Sequence, residues 1–151
     1  MNYEYEGLKL KNQLCFPLYA SSRLIVRLYG PVLEPLGLTY TKYIVMLALW
    51  EKDNIGLKEL GGILFLDSGT LTPLLKKLEI QGLVTRERNL EDERNINIKL
   101  TDRGKRLKET AKDIPAKIGS CINMSARDLK ELHRLLHIIL ENNKESQCLG
   151  L

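Results

Sequence analysis

The stretch from Leu83 to Leu100 constrains the fold of this 151-residue chain more than any other. Leu83-Val84-Thr85-Arg86 and Ile96-Asn97-Ile98-Lys99-Leu100 read as two short strands, the second alternating apolar and polar side chains as a half-buried strand does. Between them lies ERNLEDERN, in which Leu90 alone is apolar. Such a segment cannot be core. The pair is therefore a β-hairpin with a charged, solvent-facing tip: a wing.

What precedes the hairpin gives the wing something to flank. Leu57, Leu60, Ile63 and Leu64 mark a short helix. After Leu66, the residues Asp67, Ser68 and Thr70 are all candidate N-caps, and Leu71, Leu74, Leu75 and Leu78 recur at helical spacing until Gly82 stops the run. Pro73 falls near the helix start, where proline costs least. Two short helices in succession, the second with polar residues at its front, form a helix-turn-helix. With the leucines inward, Ser68, Gly69, Thr70 and Thr72 stand at the front of the second helix, Lys76 and Lys77 follow on its outer side, and Arg86 opens the hairpin. Short hydroxyls at a helix N-terminus reach phosphates and base edges, while lysines further along neutralise the backbone. An ordinary capped surface helix has the same pattern, and the adjoining wing favours the nucleic-acid reading.

The remaining elements are helical. Residues 8–29 read as one long helix carrying Leu10, Leu14, Leu18, Leu24, Ile25 and Leu28, punctuated by Gly30-Pro31. A short helix spans Val32–Leu36 and ends at Gly37, and Thr39 caps a further one over about Tyr40–Lys52, whose stripe is Tyr43, Met46, Leu47 and Trp50. Thr101-Asp102-Arg103-Gly104 starts a helix running to about Lys112, which Asp113-Ile114-Pro115 interrupts. Ser125-Ala126-Arg127-Asp128, a relaxed capping box, opens a last helix through Ile139 or beyond, with Leu129, Leu132, Leu136, Ile139 and Leu140 on its apolar side. Residues after about Asn143 read as frayed. The terminal helices lie outside a minimal winged-helix module and need a surface to bury against, for which a second copy of the chain is the simplest. The expected fold is mainly α with a small β-hairpin wing, a single domain over 1–151. About 32–108 form the winged helix-turn-helix, and 8–30 and 109–143 the dimerisation helices.

Charge agrees with a local anionic partner. The net charge is +4, and residues 76–112 hold 11 basic against 7 acidic side chains while the segments on either side balance. A balanced body with one basic segment points to nucleic acid as the commonest such partner. No run approaches the roughly 18 apolar residues of a membrane span, and the polar, acidic start MNYEYEGLKLKNQ argues against a signal peptide. Three cysteines without paired CxxC spacing suit a reduced, cytoplasmic protein.

One of those cysteines, Cys15, sits in NQLCFPLYASSR with Tyr19 four residues on and Pro17 between them. A free cysteine usually packs as a small hydrophobe; the sharper reading is a reactive thiol. All six tyrosines fall within the first 43 residues, which suits a local phenol pocket or an amphipathic dimer seam. His133 and His137 stand at i and i+4 on the last helix, a spacing that suits a metal, yet no acidic or cysteine partner is obvious nearby, and no metal or cofactor is expected.

These residues resemble the MarR-type winged-helix regulators, and specifically their organic-hydroperoxide-sensing (OhrR-like) branch. The stretches that carry the resemblance are KLKNQLCFPLYASSR, LTYTKY at 38–43, LDSGTLTPLLKKLEIQGLVTR at 66–86, EDERNINIKLTDRG at 91–104 and KDIPAKI at 112–118, from about residue 8 to 140. Asp92-x-Arg94 is the general MarR wing signature, and NQLCF-x-LYASSR with Tyr29 and Tyr40 the narrower one. The resemblance implies a homodimeric repressor that binds a palindromic operator in double-stranded DNA and releases it when Cys15 is oxidised by an organic hydroperoxide. Tyr29 and Tyr40 would be the hydroxyl partners of Cys15, with Tyr19 alongside. Arg94 would track the minor groove, steadied by Asp92, and the helix from Ser68 would read the major groove. Tyr29 lies 14 residues from Cys15, about 21 Å along one helix at about 1.5 Å per residue. If it serves Cys15, it does so from the other subunit. Phenol donors would favour the thiolate, the reacting form, without any histidine.

Two departures stand out. Pro17 replaces an aliphatic residue and is expected to remove a helical hydrogen bond to Gln13 and bend the helix at the thiol. Cys121, six residues after Pro115, falls where two-cysteine members carry a resolving thiol, with Cys148 as a competitor. The alternative function is a MarR-type repressor released by a small aromatic ligand, with Cys15 inert. Nothing supplies an arginine-assisted peroxidatic loop or a clear acid/base pair, so an enzyme is not expected.

Overall fold

The computed structural model describes residues 3–88 and 96–142. Two compact units divide the chain, Met1–Ile118 and Gly119–Leu151. In the first, two 3-10 turns, Tyr3–Leu8 and Leu10–Asn12, precede helix α1 (Cys15–Leu33). The expected helix from residue 8 is thus replaced up to Gln13 by tighter turns, and Pro17 is the reason. It occupies the third position of α1, where a backbone N–H has no acceptor within the helix, so nothing is lost by its absence. Extended further back, the helix would drive the proline ring into the Gln13 carbonyl. Pro17 therefore sets where α1 begins and does not bend it at the thiol.

Gly30-Pro31 does not end α1 either; the helix runs on to Leu33 with Pro31 inside it. A proline crowds the Cβ of the residue before it, and Gly30 has none. A 3-10 turn, Glu34–Leu36, then closes at Gly37, whose φ of 67° is left-handed. Leu38 N–H bonds back to the Leu33 carbonyl at 3.2 Å and Gly37 N–H to that of Glu34 at 2.9 Å, a Schellman closure with Leu33 and Leu38 both buried.

Helix α2 (Tyr40–Glu51) is capped by Thr39, whose hydroxyl accepts from Lys42 N–H. Tyr43, Val45, Met46, Ala48 and Leu49 are buried. The expected stripe holds at Tyr43 and Met46, whereas Leu47 is exposed, because it falls on the outer row of the helix with Ile44 and Glu51. Strand β1 (Ile55–Gly56), too short to leave a periodic signal, leads into α3 (Leu57–Leu64) and α4 (Ser68–Ile80). Strands β2 (Val84–Arg88) and β3 (Ile96–Leu100) form the expected antiparallel hairpin, in register from Val84 opposite Leu100 to Arg88 opposite Ile96, and β1 adds on the other side of β3. The core is made by Leu60, Leu71, Leu75, Leu78, Val84 and Ile98 with the buried face of α2.

Helix α5 (Asp102–Ala111) begins at Thr101, whose hydroxyl accepts from Gly104 N–H at 3.0 Å. A Cβ on Gly104 would collide with the Leu83 carbonyl, so this helix packs on the hairpin through a bare backbone. Helix α6 (Ile114–Cys121) buries Ile114 and Ile118. In the second unit, α7 (Ala126–Asn142) opens as expected: Ser125 Oγ accepts from Asp128 N–H at 3.1 Å and donates to Asp128 Oδ2 at 2.6 Å. None of its residues is buried. No single helix among the described residues is long and apolar enough to cross a membrane.

Candidate nucleic-acid interface and thiol site

Helix α4 has the two-faced build that groove reading needs. Leu71, Leu75 and Leu78 are buried and Leu74 half-buried, while Ser68, Gly69, Thr70, Lys76 and Lys77 are exposed and Thr72 half-buried. Asp67 is the N-cap: its Oδ1 accepts Thr70 N–H at 2.9 Å and its Oδ2 the Thr70 hydroxyl at 2.7 Å. Those hydrogen bonds, the side-chain one first, hold the Asp67 carboxyl below the usual carboxylate value. Thr70 thus spends its hydroxyl proton on Asp67, and its oxygen keeps acceptor lone pairs. The turn into α4 is closed by Leu66 N–H on the Gly61 carbonyl at 2.9 Å, with Phe65 left-handed at φ 53°.

Arg86, read as a DNA contact from the sequence, sends Nε and Nη2 to Glu79 Oε2 at 2.8 and 2.7 Å. In this arrangement its guanidinium braces β2 against α4. Asp92 and Arg94, expected from the sequence to contact DNA, lie outside the described residues, as does Cys148.

Cys15 and Tyr29 stand towards opposite ends of one helix. Cys15, exposed, is the first residue of α1. Tyr19, also exposed, accepts from Arg23 Nη1 at 2.9 Å, and that guanidinium lies 5.5 Å from the centre of its ring. Tyr29 is in the same unbroken helix as Cys15, which rules out contact within a chain. Its ring lies 4.8 Å from Tyr40 and 5.8 Å from Tyr43, and Tyr43 is 6.3 Å from Trp50. Trp50 Nε1 donates to the Gly104 carbonyl at 2.9 Å, so the phenol cluster rests on an anchored indole. Burial first, then the Tyr40 phenol, pushes Tyr29 above the ordinary tyrosine value; burial, Tyr29 and Tyr40 do the same for Tyr43. Tyr29 and Tyr43 thus stay protonated at neutral pH, and the buried Tyr43 hydroxyl has no hydrogen-bond partner.

The sequence named Tyr43 as core and gave no sign that it joins Tyr29. It also missed Gln81, which meets residues far away in the chain; an amide beside a terminating glycine is its only sequence trace. His133 and His137 stack with ring centres 4.0 Å apart, and among the described residues no group of three or more metal-ligating side chains forms. Cys121 is exposed at the end of α6.

Residues 27–111 match the family model described as transcriptional regulator SarA/Rot. An organic hydroperoxide resistance transcriptional regulator of Bacillus subtilis is 49% identical over 141 residues, covering 93% of this chain and 96% of that protein. Among solved structures, reduced AbfR bound to DNA aligns with a TM-score of 0.77 at 39% identity, over 94% of this chain and 99% of that one. The disulfide-formed AbfR aligns with a TM-score of 0.63 at 41% identity, over 91% and 98%. A MarR transcriptional regulator of Methanosarcina mazei aligns at 0.74 with 27% identity, over 83% and 92%. The chain belongs to the MarR family, in its organic-hydroperoxide-resistance branch. Members of this branch are transcriptional regulators on a winged-helix fold, not enzymes.

Proposed function

We propose that this chain is a cytoplasmic, homodimeric repressor that senses organic hydroperoxides by oxidation of Cys15 and then releases its operator. The observation that carries the reading is the division of the site along α1: an exposed thiol at its first residue and a phenol cluster, Tyr29 on Tyr40, about 21 Å further on. Two copies of α1 packed antiparallel about a two-fold axis bring each thiol to the other's phenols. The exposed Leu14, Phe16, Tyr19, Leu24 and Leu28 supply the apolar surface for that packing. The whole chain 1–151 then serves as one MarR-type domain, with 32–108 reading DNA and 8–30 and 109–143 dimerising.

The chemistry balances with the peroxide alone as oxidant. Cys15 loses its thiol proton to solvent and the thiolate attacks the terminal oxygen of ROOH; the O–O bond breaks, the alkoxide leaves as the alcohol with a proton from Tyr29 or Tyr40, which solvent replaces, and sulfur is oxidised by two electrons to the sulfenic acid. Cys121 then condenses with it, forming a disulfide and releasing water. On the DNA, Ser68, Gly69, Thr70 and Thr72 face base edges, Lys76 and Lys77 the backbone, and Arg94, held by Asp92, the minor groove; Arg86 acts through its brace on α4. The operator is palindromic because the dimer is two-fold symmetric, and its half-sites lie about 34 Å apart, one duplex turn, to match the two α4 helices.

The deciding experiment is binding to the protein's own promoter DNA before and after one equivalent of an organic hydroperoxide. Release that dithiothreitol restores, with Cys15→Ser binding yet indifferent to peroxide, is the expected result. Unchanged binding retires the sensor and turns the search to a small aromatic inducer.

A further inference from the structure

Two hydrogen bonds fasten the end of α4 to the corner that carries the phenols. Gln81, the residue at which α4 stops, donates Nε2 to the Gly37 carbonyl at 2.8 Å and accepts from Lys42 Nζ on Oε1 at 2.9 Å. The partners are 44 and 39 residues away in sequence. Gly37 closes the turn after α1, and Lys42 lies in the first turn of α2, two residues beyond Tyr40. A side-chain amide offers both a donor and an acceptor without charge, and Gln81 uses each. Gly37 is matched to it: a Cβ there would stand 3.2 Å from Gln81 Nε2, on a residue already at φ 67°. Two residues before Gln81, Glu79 holds Arg86 of β2. The last turn of α4 is therefore tied on one side to the phenol corner and on the other to the wing.

We propose that Gln81 is the positioning residue that couples the α1–α2 corner to the DNA-reading helix, its clamp on Gly37 and Lys42 passing a shift of Tyr29 and Tyr40 to α4. The proposal rests on the sensor reading above. Oxidation of a partner's thiol against Tyr29 and Tyr40 displaces the corner. A helix clamped to that corner follows it, and one released from it stays. Small movements suffice, because both reading helices must keep a spacing of about 34 Å.

Affinity for a duplex cut from the protein's own promoter is measured before and after one equivalent of tert-butyl hydroperoxide, with thiol loss at Cys15 followed alongside. The wild type is expected to lose at least about tenfold in affinity, and Gln81→Ala less than about threefold, while its thiol is oxidised at the wild-type rate. Lys42→Ala behaves likewise, and Lys42→Arg, which keeps a donor for Oε1, restores release. A purely structural role lowers both redox states by one factor and leaves the ratio unchanged; a wild-type ratio in Gln81→Ala overturns the proposal. Should Gln81→Ala fail to bind at all, the Lys42 pair decides by the same ratio. A wild type indifferent to peroxide fails the sensor reading and the coupling with it. Equal release by wild type and variants fails the coupling alone.

Discussion

Helices α2 and α7 span 12 and 17 residues, yet five residues of α2 are buried and none of α7 is. Helix α1 sides with α7: of its 19 residues only Leu33 is buried. The reading head closes its core within one chain, while the arms leave leucines, isoleucines and aromatics uncovered. The proposed sensor straddles that difference, with Cys15 on an arm and Tyr40 on the head. Sensing built this way is a property of two chains, and stability of the head a property of one.

The sharpest way to break the comparison is to cut equal side chains from each region. Leu78, fully buried on the inner face of α4, is expected to cost about 2–5 kcal/mol when replaced by alanine. Ile139→Ala on α7, where the residue is 41% exposed, is expected to cost under about 1 kcal/mol within a chain. Its effect should grow where the dimer dominates, so thermal midpoints of both variants are compared across protein concentration. A midpoint for Ile139→Ala as low as that of Leu78→Ala, at every concentration, would erase the distinction between arm and head.

A charge on the arm separates assembly from folding. Leu24 on α1 is 62% exposed, and Leu24→Asp is expected to leave helical circular dichroism unchanged. The sedimenting mass should fall to that of one chain and promoter binding should drop by more than about tenfold, since one reading helix forfeits its partner half-site. Retained dimers would place the two-fold seam away from α1 and would remove the thiol's route to the partner's phenols.

What the sequence disclosed follows the same division. Caps are local chemistry, so Thr39, Thr101 and Ser125 as helix starts and Gly37 and Gly82 as stops are legible, as is the pairing of the two hairpin strands. Proline was harder, because its effect depends on where the helix begins. From the sequence alone Pro17 reads as a mid-helix defect, yet it defines the first turn, and Pro31 reads as a stop, yet Gly30 lets the helix pass. The phenol pair of Tyr29 and Tyr40 came through resemblance, and Tyr43 beside them did not. The Gln81 clamp and the Arg86–Glu79 brace were invisible, the clamp because its partners are about forty residues off and the brace because a charged strand residue reads equally well as facing DNA.

The mildest test concerns the front of α4, which belongs to the head yet faces solvent. Thr70 donates to Asp67 from both side chain and backbone, and this holds its carboxyl below the ordinary value of 3.8. A carboxyl held lower in the folded chain than in the unfolded one binds fewer protons when folded. Its stabilisation is therefore complete above pH 3.8 and fades as pH falls through the lower folded value. Asp67→Asn keeps an acceptor for Thr70 N–H but cannot ionise, so the variant should be slightly less stable at neutral pH. The gap between the two proteins should then close on acidification, read from denaturant midpoints at successive pH values. A gap that stays constant into acid would mean that the cap acts through its shape alone. Helix α4 would then hold its front, like its leucine back, by packing and hydrogen-bond geometry and without charge.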